Sequence, residues 1–386
     1  VAVRYARISL VPIAVLGPAC RAQKYEPNVT SLQLSGLAPS APQQPEKSIN
    51  TAREVSTGVI STADSGTPQS STADGGTPHR AFLGERRPMV RVALIGDQGL
   101  GPRSEAVIDL IREASADLVV VLGDFDYVDK PRAWFDQMAR LGKVPWFAVI
   151  GNHDLSQWPQ YQKLIAERQA QIEDAECEGT PGTRTVCSMR GLTLVLSGVG
   201  TIGDQHEHEV FIKDALRKSK DRWKLCLWHK NQHDMQVGAK TDEVGWAAYK
   251  ACQSAGAIVA TGHEHSYART RTLTAIGEAL SGHGATGVAN ELEVGPGRNF
   301  VVVSGLGGVE TRAFASSHDK DVWWAAYFTA NRQKANGTVT EVSHGQDGAG
   351  ALFLDFGIDG DKGWGRGRFV TAFDHRVFDD FTIRFQ

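Results

Sequence analysis

Five apolar, β-branched runs in this chain each end in a short cluster of Asp, Asn or His, and this pairing constrains the fold more than any other feature. The runs cover residues 90–95, 118–122, 146–150, 225–228 and 257–260, and the clusters are Asp97-Gln98-Gly99, Gly123-Asp124-Phe125-Asp126-Tyr127, Gly151-Asn152-His153-Asp154, Trp228-His229 and Gly262-His263-Glu264-His265. Runs of this kind predict strands. Between and after them, residues 104–114, 132–141, 158–172, 209–219 and 242–255 carry helical periodicity, with Ser104 as a candidate N-cap before Val107, Ile108 and Ile111. Strands alternating with helices predict an α/β fold in which the loops beyond the strands' carboxyl ends converge on one crevice.

Each cluster alone is weak, because an Asp after a strand or a lone His is an ordinary turn former or surface group. Together they supply ligands for two adjacent metal ions. In extended chain, residues two apart point the same way, so His263 and His265 can face one cleft. Asp124 follows a glycine and has two oxygens, which makes it the candidate to bridge cations about 3.5–4 Å apart. Asp154 is expected to orient His153 rather than bind metal.

In order and spacing these clusters resemble the purple acid phosphatases within the calcineurin-like metallophosphoesterases. That family's pattern is Asp-x-Gly, Gly-Asp-x-x-Tyr, Gly-Asn-His-Asp/Glu, Val-x-x-His and Gly-His-x-His. One departure is Cys226 in place of Val, at a position inside a strand where either is a small apolar group. The resemblance extends over residues 91–386, since Phe378-Asp379-Asp380-Phe381-Thr382-Ile383 is similar to the family's last strand. It implies two packed mixed β-sheets flanked by helices, a four-layer αββα sandwich. It also implies that Asp97, Asp124, Tyr127 and His265 hold the first metal, and Asp124, Asn152, His229 and His263 the second. A phenolate with two carboxylates and one imidazole suits Fe(III); one carboxylate, an amide oxygen and two imidazoles suit Zn, Mn or Fe(II). In the wider superfamily the first cluster often ends in His. Here Gly99 holds that position and Tyr127 replaces the lost ligand.

The implied reaction is hydrolysis of a small phosphate monoester by in-line attack of a metal-bound hydroxide. His153 is the candidate to contact the phosphate or protonate the leaving oxygen. His233, four residues after His229, is a second candidate, with an exposed loop histidine as the competing reading. His206 and His208 fit a solvated helix start equally well. Two other functions remain open: a phosphodiesterase or nucleotide pyrophosphatase with the same metals, and a non-catalytic tethered binding domain. The clusters fix a reaction centre and leave the physiological substrate and the oligomeric state open.

After Tyr267 strand-like runs recur at residues 300–303, 351–356, 368–372 and 381–385, with one candidate helix at 323–332. A second, more antiparallel sheet packed against the first is expected from them.

Residues 1–20 read as a signal peptide: Arg4 and Arg7 precede an apolar stretch at 8–17, too short to span a bilayer comfortably. Pro18-Ala19-Cys20 is similar to a bacterial lipoprotein cleavage site with the expected Leu displaced to Leu16. Envelope lipoprotein and secreted or periplasmic protein are both open, and the only membrane contact expected is a lipid at Cys20. Residues 21–86, rich in Pro, Ser, Thr and Gly, repeat Ser61-Thr62-Ala63-Asp64 as Ser71-Thr72-Ala73-Asp74 and read as a disordered tether, leaving 87–386 as the catalytic domain. Cys177 and Cys187 flank a turn-rich insert and predict a disulfide in an exported protein. For Cys226 and Cys252, buried thiols and a second bridge both fit. A net charge of −3 over 386 residues gives no footprint for general nucleic-acid binding.

Overall fold

The computed structural model describes residues 88–343 and 347–386. The expected signal peptide, the Cys20 lipid site and the tether at 21–86 lie outside the described residues.

Two mixed sheets carry the five clusters between them. The seven-stranded sheet runs in the order Glu291–Val294, Val377–Phe385, Trp364–Thr371, Gly350–Phe356, Val90–Ile95, Leu118–Val121, Trp146–Ala148. Its last three strands are mutually parallel. The ten-stranded sheet runs Thr338–Glu341, Arg332–Ala335, Trp324–Phe328, Tyr267–Thr270, Val301–Ser304, Ile258–Thr261, Trp223–Leu227, Leu192–Ser197, Arg184–Met189, Glu176–Thr180. The first three clusters thus follow strands of one sheet and the last two follow strands of the other. This corrects the expectation that all five share a sheet and that the second sheet begins after Tyr267. The late strand Gly350–Phe356 instead returns to pair antiparallel with Val90–Ile95, because that edge is apolar on both faces and would otherwise leave its backbone groups unpaired.

Alternating side chains of these strands feed three apolar cores. Val92, Leu94, Val120 and Phe147 meet Leu194, Leu225, Leu227 and Val302 between the sheets. Ala93, Ile95, Val119 and Val121 point the other way, onto the helices Pro102–Glu113, Pro131–Met138 and Trp158–Gln169. Val195, Cys226, Val259 and Val301 pack on the helices Gln205–Lys218 and Ala247–Ser254. The result is the expected four layers, helix, sheet, sheet, helix. Strands buried on both faces explain why the sequence shows continuous apolar runs rather than alternation.

Local boundaries differ in informative ways. Gly101, not Ser104, caps the first helix, and Pro102 opens it, since a first-turn proline gives up an N–H that would be unpaired anyway. Ser104 lies inside the helix and its hydroxyl accepts from Gln137 Nε2. Residues 323–332 contain the strand Trp324–Phe328 rather than a helix; a short run buried on both sides has no periodicity to separate the two, and pairing with Tyr267–Thr270 decides it. The helix expected over 242–255 spans only Ala247–Ser254, because Asp242 turns its carboxylate onto the amides of Val244 and Gly245. Both disulfides form, Cys177–Cys187 across paired strands and Cys226–Cys252 between a strand and a helix. The second closes a 26-residue separation, worth about 3–4 kcal/mol on chain-entropy grounds. It anchors both ends of the segment at 228–246, which borders the site.

Candidate metal centre

At the carboxyl ends of the parallel strands, backbone bonds stitch the five loops together. The amides of Asp97 and Gln98 donate to the carbonyls of Gly123 and Asp124 at 3.0 Å each, and Gly262 donates to His229 at 3.1 Å. The two sheets are tied at the same place: Gly307 N–H donates to the Gly96 carbonyl at 2.8 Å and the Ser304 hydroxyl to that of Leu94 at 2.9 Å. Glycine makes this approach feasible. A Cβ at Gly123 would lie 2.7 Å from both the Gly151 nitrogen and His229 Nδ1, and one at Gly151 would overlap Asp124.

Four of the seven candidate ligands hold left-handed backbone: Asp97 (φ 58°), Asp124 (φ 55°), Tyr127 (φ 59°) and His263 (φ 70°). Such conformations cost on the order of 1–3 kcal/mol each and persist only where neighbours over-determine them. Asp126 provides that constraint for Tyr127, accepting from the amides of Val128 and Lys130 at 2.9 Å and from the Tyr161 hydroxyl at 2.7 Å. Asp154 provides it for Asp124. Its carboxylate accepts from the amides of Gly151 (2.7 Å), Asp124 (3.0 Å) and Phe125 (2.9 Å). Asp154 therefore braces the Asp124 loop, whereas the sequence suggested that it orients the His153 ring.

The candidates fall into two groups. In one, the Tyr127 hydroxyl lies 3.0 Å from Asp97 Oδ1 and 3.1 Å from His265 Nε2, with the last two 3.6 Å apart. In the other, His229 Nε2 stands 3.1 Å from His263 Nδ1 and 3.2 Å from both Asp124 Oδ2 and Asn152 Oδ1. Ligand atoms of Asp124, His229 and His263 all lie within 4.8 Å of one another. The far nitrogens of these two rings are already engaged: His229 Nδ1 with the Leu122 carbonyl at 2.7 Å, and His263 Nε2 with Glu243 Oε2 at 2.6 Å. Carbonyl and carboxylate can only accept, so those nitrogens carry hydrogens and, when the rings are neutral, the facing pair present lone pairs. Two lone pairs, a carboxylate oxygen and an amide oxygen converging on one point call for a cation, and N/O donors of this kind fit a divalent transition metal. The Asp97–Tyr127–His265 group offers a carboxyl, a phenol and one imidazole, a harder set of donors.

The electrostatics agree. Burial pushes the Asp97 carboxyl up to about 7, with Asp124 adding to the rise against the pull of His229. Burial opposes the charge of Asp124 as well, but His229 and the His153 amide outweigh it and hold that carboxyl far below the usual range. Asp124 in turn overcomes burial at His229 and lifts its imidazole to about 9. His263 is driven well below its ordinary value by burial and by the charges of His229 and Lys240, and His265 down to about 4 by burial and Arg312. Burial and the carboxylates of Asp97 and Asp124 raise the Tyr127 phenol far above its ordinary value. At neutral pH this buried set therefore holds protons at His229 and Tyr127 and part of one at Asp97, in the places where bound cations would displace them.

His153 is exposed, with its ring 4.6 Å from that of Tyr127, at the mouth of the centre. His233 does not join the ligand groups: its Nδ1 donates to the Lys240 carbonyl at 2.8 Å and its ring lies 4.9 Å from that of His318. His206 is solvated as expected, but His208 is buried, bonded to the Ser197 hydroxyl and the Ile202 carbonyl. Sequence reasoning missed Glu243, Lys240 and Arg312. Lys240 Nζ lies 3.5 Å from His263 Nδ1, and Arg312 Nη1 donates to the His263 carbonyl at 3.2 Å. The Asp242 turn signal was the one cue that could have placed Glu243 on a loop.

Residues 90–267 match the model of the calcineurin-like phosphoesterase family. No curated protein matches the chain in sequence. Among solved structures, a purple acid phosphatase from yellow lupin (Lupinus luteus) seeds superposes with a TM-score of 0.57 at 17% identity, over 79% of this chain and 55% of that one. The chain thus spans about half the length of that phosphatase, and the likeness is one of fold. Two further structures align less closely: PhoD, with a TM-score of 0.43 at 11% identity over 75% of this chain and 67% of that one, and a predicted phosphoesterase from Streptococcus pneumoniae, with 0.29 at 10% over 76% and 97%.

Proposed function

The chain carries a calcineurin-like phosphoesterase domain, and from that premise we propose that it is a two-metal hydrolase of phosphate monoesters resembling the purple acid phosphatases. The observation that carries the proposal is the split of the candidate ligands into an Asp97–Tyr127–His265 group and an Asp124–Asn152–His229–His263 group of facing acceptors. In this reading Asp124 serves both metals. Asp97, Tyr127 and His265 would hold Fe(III), and Asn152, His229 and His263 would hold Zn, Mn or Fe(II). When bound, the pair supplies Lewis acidity toward the phosphoryl oxygens and lowers the pKa of water.

The protein's own residues do the rest. Leu122 and Glu243 fix the tautomers of His229 and His263, Asp154 and Asp126 hold the strained loops, and His153 is free at the mouth to meet the phosphoryl group or donate a proton to the leaving alkoxide. Water adds to phosphorus, the P–O ester bond breaks, and the products are an alcohol and inorganic phosphate. Export completes the proposal, supported by two disulfides that fit an oxidising compartment. The test is a nitrophenyl phosphate assay on protein loaded with iron and a divalent metal. Turnover lost on chelation and restored by metal is expected; a metal-replete protein without phosphate-ester hydrolysis would favour a binding domain.

A further inference from the structure

We propose that Lys240 and Arg312 form a cationic clamp that reads the second negative charge of a phosphoryl dianion, and so selects monoesters over diesters at the centre; this rests on the phosphate-ester hydrolase reading. Lys240 is half-buried, and among the described residues no carboxylate lies within ion-pair distance of its ammonium. The contact its Nζ does make is with His263 Nδ1 at 3.5 Å, the ring nitrogen that faces the ligand cluster. A half-buried ammonium without a counter-ion is costly unless it has an anion to meet. It cannot share the His263 lone pair with a metal ion, so in the loaded protein it is available to an anionic ligand there.

The position of Lys240 is built, not incidental. Its carbonyl accepts two side-chain donors, His233 Nδ1 at 2.8 Å and Gln236 Nε2 at 3.0 Å. This gives His233 a role as a positioning residue rather than a catalytic one. Arg312 stands beside the same ring. Its amide donates to the His265 carbonyl at 2.8 Å, its Nη1 donates to the His263 carbonyl at 3.2 Å, and its side chain is 36% exposed. Glu264, 2% exposed and 3.8 Å from Arg312, holds the guanidinium back against the cluster. Glu243 is engaged with Lys230 and His263, and Glu310 beside His265 is 73% exposed and solvent-screened. The Lys240 charge is therefore left over at the rim. A monoester is largely dianionic near neutral pH, whereas a diester carries one charge, so a surplus cation favours the monoester.

The experiment uses metal-loaded full-length protein, with Lys240→Met, Arg312→Met and Lys240→Arg. Binding of inorganic phosphate is followed by calorimetry, and kcat/KM is measured for nitrophenyl phosphate and bis-nitrophenyl phosphate, with metal content determined for each variant. Losing one charge-assisted bond predicts phosphate binding weakened about 10- to 100-fold in each Met variant and a monoester-to-diester ratio reduced by a similar factor, with Lys240→Arg restoring most of both. Metal content at the wild-type level excludes loss of the centre as the cause. Unchanged phosphate affinity and an unchanged ratio in both Met variants would overturn the clamp. If the wild type hydrolyses neither ester, the hydrolase reading fails, and the phosphate titration still decides on the clamp.

Discussion

His229 Nε2 and His263 Nδ1 face each other at 3.1 Å while Leu122 and Glu243 occupy their opposite nitrogens. Two neutral imidazoles fixed in this way have no favourable contact of their own until a proton or a cation lies between them. The arrangement is stabilised by what lies between them, so the residues fixing the tautomers matter as much as the ligands.

Glu243→Gln tests this directly. The amide removes the charge that makes His263 a better donor to a metal, so affinity at the second site should fall about 10–100-fold, measured by competition with a chelator. Affinity within twofold of wild type would mean that Glu243 serves only Lys230.

Asp124 and His153 should separate binding from chemistry. Asp124→Asn is expected to abolish hydrolysis and lower occupancy of both metals, because one carboxylate serves both. His153→Ala should keep both metals and slow turnover by about 10²–10⁴-fold. Metal loss in the His153 variant would contradict its place at the mouth.

Metal-stripped protein should lose thermal stability as pH rises from about 6.5 to about 9. Asp97 at about 7, Asp154 at about 8 and His229 at about 9 all bind protons more tightly folded than unfolded. Their stabilisation is complete at low pH and is lost as pH passes each folded value. His263 and His265 are shifted downward, so they act in the opposite sense, and only below about 6.5. Metal-loaded protein should show a flatter profile over the same range. Scanning calorimetry at several pH values reads both, and a stripped protein that gains stability toward pH 9 would refute the assignment.

If Tyr127 binds Fe(III) as a phenolate, charge transfer from oxygen to iron should colour the native-metal protein violet to pink. Tyr127→Phe keeps the ring's volume and should bleach the band with little change in stability. An active, iron-containing protein with no visible band would remove Tyr127 from the first site.

The ligand clusters were legible because each sits where a doubly buried strand ends, and a continuous apolar run marks such a strand without reference to the rest of the chain. Which sheet each strand joins was not. Gly350–Phe356 pairs with Val90–Ile95 across some 260 positions, and no local pattern encodes that partner. The Trp324–Phe328 strand was misread for a related reason, since burial on both faces erases the period that tells strand from helix. Glu243, Lys240 and Arg312 escaped notice because they reach the centre on loops. The first two ride the segment closed by Cys226–Cys252, and Arg312 follows the Gly305-Leu306-Gly307-Gly308 turn that ties the sheets together. Charged loop residues look alike in sequence, and only the fold shows which of them return to the site.

Anomalous diffraction from crystals of protein purified with its native metals tests the central claim most directly. The account predicts two peaks about 3.5–4 Å apart. One should be bound by Asp97, Tyr127 and His265, the other by Asn152, His229 and His263, with Asp124 touching both. Two peaks without Asp124 between them would move the bridge elsewhere. A single fully occupied peak, or none at these residues in an enzyme that still cleaves phosphate esters, would contradict the two-metal centre.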